Sequence, residues 1–119
     1  MSYLDIYKKT EDTVKELFAK NGSPTLTYHN LNHTEYVVNK TKEIAGHYQL
    51  SEKDMLILFV ASWFHDVGYL FVPAPEHEEK SAEIMQSFLR DSNMEEDVIE
   101  QASECIMATK HPRNPQGLL

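Results

Sequence analysis

Cysteine is nearly missing from this 119-residue chain, which has only Cys105. A lone thiol excludes a disulfide framework and any zinc cluster built of cysteines alone, so a reducing compartment is the expectation. No run approaches the ~18 apolar residues that a membrane helix requires. Met1-Ser2-Tyr3-Leu4-Asp5 lacks the charged-then-apolar order of a signal peptide. A soluble, cytoplasmic protein without a membrane partner is expected. Basic residues are scarce as well, with 11 Lys and Arg against 19 Asp and Glu for a net charge of -8. Binding along a nucleic-acid backbone depends on many Lys and Arg neutralising phosphates, so no extended nucleic-acid surface is expected. Repeats, low-complexity tracts and alternating runs are missing too. Only Thr25-Leu26-Thr27-Tyr28 is a candidate strand, and it is too short to build a sheet.

What is present is punctuation between segments of helical length. Breaks fall at Asn21-Gly22-Ser23-Pro24, Gly68, Pro73-Ala74-Pro75 and Pro112. The length suits a single domain over 1–119. Spacing predicts a helix over 2–20 with Leu4, Tyr7, Val14, Leu17 and Phe18 inward, and a second over 33–48 with Val37, Thr41, Ile44, Ala45 and Tyr48 on one stripe. A capping box, Ser51-Glu52-Lys53-Asp54, opens a third. From Met55 to Phe64 that segment is apolar everywhere except Ser62, the mark of a central buried helix. A fourth is expected over 75–90 with Ala82, Met85, Phe88 and Leu89 inward. A fifth should run from an Asn93 cap to about Thr109, burying Val98, Ala102, Cys105 and Ile106. The expected fold is all-α, an irregular bundle of about five helices.

Six histidines stand out in this composition. His65-Asp66 ends the most apolar helix, where two ionisable side chains are costly unless something compensates them. Neighbouring helical positions point about 100° apart, so an imidazole and a carboxylate there can converge on one cation. Imidazole suits transition metals, and carboxylate suits those and harder cations. His33, at the start of the second helix, is the natural third ligand.

Tyr28-His29-Asn30-Leu31-Asn32-His33-Thr34-Glu35-Tyr36-Val37 and Ala61-Ser62-Trp63-Phe64-His65-Asp66-Val67-Gly68-Tyr69 together resemble the HD superfamily of metal-dependent phosphohydrolases. The first motif is also similar to that of the cyclic-nucleotide phosphodiesterases. The resemblance runs from about Tyr28 to Thr109. It implies that His33, His65 and Asp66 are metal ligands, with Asp66 able to bridge two cations. It implies that His29 donates a proton to the leaving oxygen, so His29 and Asp66 are the catalytic candidates. His77, in Pro75-Glu76-His77-Glu78-Glu79-Lys80-Ser81-Ala82, matches a family setting in which a histidine binds a second metal or the substrate phosphate. Glu78, Lys110 and Arg113 are candidate substrate contacts, although Lys110, His111 and Arg113 also suit ordinary complementation of a helix dipole.

The implied activity is hydrolysis of a phosphate monoester or diester, with a nucleotide as the expected substrate, by water activated on one or two divalent ions. The small phosphorylated substrate is compatible with the acidic chain because bound cations reverse the local field. Mixed His and Asp ligands do not separate manganese, iron, magnesium, zinc and nickel. The alternative is a non-catalytic HD-like regulatory domain that binds metal or nucleotide. One departure stands out: the family completes its site with an Asp on a later helix, and no Asp follows Asp97. A domain incomplete at its C-terminus, without its final core helix, is the expectation; a partner chain or lost activity are the other readings.

Overall fold

The structure is a computed structural model that describes residues 3–21 and 30–109. Five α-helices form it: α1 (Tyr3–Asn21), α2 (Leu31–Tyr48), α3 (Glu52–Phe64), α4 (His77–Asp91) and α5 (Glu96–Met107). Two short 3-10 turns, Val67–Leu70 and Ala74–Glu76, link α3 to α4. No strand occurs among the described residues, and the fold is all-α. None of their helices is long and apolar enough to cross a membrane.

The all-round apolar segment is the centre of the bundle. α3 buries Leu56, Ile57, Phe59, Val60, Ala61, Trp63 and Phe64, and α1, α2, α4 and α5 all pack on it. Fully burying a side chain of this kind contributes roughly 1.5–3 kcal/mol, so α3 dominates the core. Ser51 caps it by accepting the Asp54 N–H at 3.1 Å, as the capping box requires.

The helices around α3 shift the expected faces. α1 buries Ile6, Thr10, Val14 and Phe18, a strict four-residue seam that passes through a threonine. Leu4 lies outside it and is exposed. α2 starts at Leu31, two residues early, because Asn30 is its N-cap. Its buried positions are Thr34, Val38 and Ala45, while Ile44 and Tyr48 are exposed. The expected stripe is therefore rotated by about one position. A hydrogen bond from Ser62 Oγ to Thr41 Oγ1 at 3.1 Å pins the side of α2 that meets α3.

Two boundaries differ from expectation. α4 starts at His77, and Pro75 lies in the preceding 3-10 turn. Asn93 closes α4 and does not cap α5. It adopts a left-handed backbone, φ 61°. The Asn93 N–H bonds the Arg90 carbonyl at 3.0 Å and the Met94 N–H bonds the Leu89 carbonyl at 2.9 Å. That is the Schellman pattern, in which asparagine is one of the few residues to tolerate the left-handed position. α5 then opens at Glu96 behind Glu95, whose side chain makes no cap bond. The Lys53 ammonium and the Asp97 carboxylate pair across the starts of α3 and α5.

Candidate metal centre

Three separate local devices present the histidines. In the first turn of α2, Asn30 Oδ1 accepts the His33 N–H at 2.9 Å, so the cap that starts the helix also fixes the His33 backbone. His65 is the residue after the last of α3, and its Nδ1 lies 2.7 Å from the Ser62 carbonyl oxygen. A carbonyl only accepts, so Nδ1 carries the proton and Nε2 is the unprotonated nitrogen of the neutral ring. His77 opens α4, and its ring stacks on Tyr69 with centroids 3.9 Å apart and planes 20° apart.

All three rings present Nε2 to Asp66. The Asp66 Oδ2 atom lies 3.5 Å from His33 Nε2 and 3.4 Å from His65 Nε2. The other oxygen, Oδ1, lies 3.6 Å from His77 Nε2. Asp66 is buried, with 3% of its surface exposed, and a buried carboxylate in a ring of imidazoles calls for a positive charge.

The donors of His33, His65 and Asp66 all lie within 4.8 Å of one another. Two ligands each about 2.1 Å from one ion stand roughly 3.0–3.4 Å apart in octahedral or tetrahedral geometry. Nitrogen and carboxylate donors at the observed spacings match a divalent-cation site after small adjustments. Exposure falls across the cluster, from 31% for the His33 side chain to 14% for His65 and 9% for His77. The cluster is most exposed on the α2 side.

The turn carrying His65 and Asp66 is clamped to α4. The Gly68 N–H donates to Ser81 Oγ at 2.7 Å, and the Ser81 hydroxyl donates to the His65 carbonyl at 2.9 Å. Ser81 is fully buried. The approach is so close that a Cβ on Gly68 would lie 2.1 Å from the His77 carbonyl oxygen. Gly68 was legible as a helix stop; its larger role is to let the turn seat on α4.

The sequence-predicted residues divide clearly. His33, His65 and Asp66 come together, and His77 joins them at the second oxygen of Asp66. Glu78 is buried with 6% exposure, its Oε1 3.3 Å from His77 Nδ1. Its contact is with that ring. His29, Lys110, His111 and Arg113 lie outside the described residues, as does Thr25–Tyr28.

The Tyr69 ring covers one face of His77. Burial pushes its hydroxyl above the ordinary value of 10, and the negative charges of Asp66 and then Glu78 add to the effect. The supporting roles of Ser62 and Ser81 were missed. Ser62 acts on His65 through its backbone carbonyl, which no residue type signals, and Ser81 carried no signal that spacing alone could supply.

The sequence matches the HD domain family model over residues 30–111, a span that holds α2 through α5 and every member of the cluster. The chain belongs to the HD domain family, a superfamily of metal-dependent phosphohydrolases. No curated protein and no solved structure matches it.

Proposed function

We propose that this protein hydrolyses a phosphate monoester or diester, with a nucleotide as substrate, using divalent metal. The observation that carries the reading is Asp66 itself. Its two oxygens face in two directions, Oδ2 toward His33 and His65 and Oδ1 toward His77. His33, His65 and Asp66 would hold one ion, and His77 with the second oxygen of Asp66 would hold another. A bound divalent ion supplies Lewis acidity, lowering the pKa of water and offsetting charge on phosphoryl oxygens.

The chain's own groups do the rest. The Ser62 carbonyl holds the His65 ring and Asn30 holds the His33 backbone, so the elements that carry both donors are organised before anything binds. His33 borders the exposed side, which is where a phosphate would enter. His29, four residues earlier in the chain, is assigned the proton that passes to the leaving oxygen as its bond to phosphorus breaks. Lys110 and Arg113 are assigned to the substrate's phosphate charge. The working compartment is taken to be the cytoplasm, consistent with a single thiol and no disulfide.

The test is elemental analysis of the purified protein, then a screen of nucleotides and general phosphoesters with manganese, iron, magnesium, zinc and nickel added back singly. His65→Ala and Asp66→Ala should each lose both ion content and turnover. Unchanged hydrolysis in those variants would overturn the proposal, and bound ion with no turnover on any phosphoester would favour a regulatory domain.

A further inference from the structure

We infer that Glu78 is a positioning residue: it accepts the Nδ1 proton of His77 and so commits the Nε2 lone pair of that ring to the cation side of Asp66. The inference deepens the metal-site reading above and rests on it. Stacking on Tyr69 at 3.9 Å sets the plane of the His77 ring but does not by itself choose between its two orientations within that plane. A flip would exchange Nδ1 for a carbon and point Nε2 away from Asp66. Two carboxylates oppose it. Asp66 Oδ1 lies 3.6 Å from Nε2, and Glu78 Oε1 lies 3.3 Å from Nδ1. Both acids are buried, at 3% and 6% exposure, and so is His77 at 7%.

Glu78 is the group that sets the tautomer. When a cation is present, Nε2 must be unprotonated to bind it, and the ring's remaining proton belongs on Nδ1. A buried carboxylate 3.3 Å from that nitrogen is placed to accept the proton, which leaves the opposite nitrogen for the cation. Carboxylate partners of this kind commonly change metal affinity by roughly 10–100-fold. The His77 ring stands between Glu78 and Asp66, with one nitrogen toward each carboxylate.

The experiment titrates the wild type, Glu78→Ala and Glu78→Gln with zinc as a diamagnetic probe ion. Stoichiometry is read by elemental analysis, affinity by calorimetry, and the His77 ring nitrogens by 15N NMR. In the zinc-loaded wild type, His77 Nδ1 should carry the proton. Glu78→Ala should weaken the ion held through His77 by about 10–100-fold while the ion at His33, His65 and Asp66 binds as before. Glu78→Gln keeps an accepting oxygen and should lose only part of that affinity. Equal zinc binding by wild type and Glu78→Ala, or a His77 bound through Nδ1, overturns the role of Glu78 and leaves the metal site standing. No zinc bound by the folded wild type overturns both. Should Glu78→Ala fail to fold, Glu78→Gln decides: a several-fold loss supports the inference, and an unchanged second-ion affinity ends it.

Discussion

Gly68 and His77 are in backbone contact, with a methyl group at Gly68 standing 2.1 Å from the His77 carbonyl oxygen and 2.8 Å from Ser81 Oγ. Neither neighbour can move cheaply, since one is helix backbone and the other already bridges two backbone groups. Gly68→Ala is therefore expected to destabilise the protein by about 1–3 kcal/mol, in the range of overpacking in a well-packed interior. It should also displace the turn that carries His65 and Asp66, lowering ion content. Thermal melts with elemental analysis check both, and a variant that keeps wild-type melting and ion content would refute the close-approach argument.

Ser81 satisfies two buried backbone groups through one hydroxyl. Ser81→Ala removes the acceptor of the Gly68 N–H and the donor to the His65 carbonyl, at a site with no exposure. Leaving buried polar groups unsatisfied costs about 1–3 kcal/mol. Urea denaturation should show that loss as a lower midpoint with an unchanged slope.

Asn30 links helix initiation to a metal ligand. Asn30→Ala should cost about 1 kcal/mol through loss of the N-cap. It should weaken ion binding as well, because the bond it removes ends on the His33 N–H. Asn30→Asp keeps the accepting oxygen and should restore both. Calorimetric titration with a divalent probe ion separates the two variants.

The Lys53–Asp97 pair makes a prediction in pH. Hydrogen bonding to Lys53 holds the Asp97 carboxyl below its ordinary 3.8, and the bond to Asp97 holds the Lys53 ammonium above its ordinary 10.5. A depressed acid contributes stability that is complete above 3.8 and disappears as pH falls through its folded value. The raised lysine contributes below 10.5 and loses its contribution as pH rises through its folded value. Asp97→Asn should thus melt lower than wild type near neutrality, with the difference closing at the acidic extreme. Added salt should shrink it, since both groups are exposed.

Much of the centre could be read from residues alone, and the reasons are local. α3 announced itself because apolar residues around a whole helix have only one place to go. His65-Asp66 at its end was conspicuous because charge there needs compensation. The approach of His77 to Asp66 was not derivable from periodicity: two 3-10 turns intervene, and neither has a repeat that sets the angle between α3 and α4. The face of α2 was misplaced because Thr34 and Val38 are buried while Ile44 and Tyr48 lie outside; Thr41 and Ala45 were the members of the expected stripe that do turn toward α3. Hydropathy ranks Thr34 below Ile44 and Tyr48, the reverse of their burial. Asn93 was ambiguous for another reason, since asparagine serves equally well before a helix and in the left-handed position after one.

The groups named around Asp66, from the Asn30 cap to the Ser81 clamp, lie on one continuous stretch of chain that ends before α5. Peptide-bond cleavage between α4 and α5 would leave the whole cluster on a single fragment. Cleavage between Phe71 and Ala74 would place Asp66 and His77 on separate fragments, joined by the Gly68–Ser81 seam, the Tyr69–His77 stack and the core beneath them.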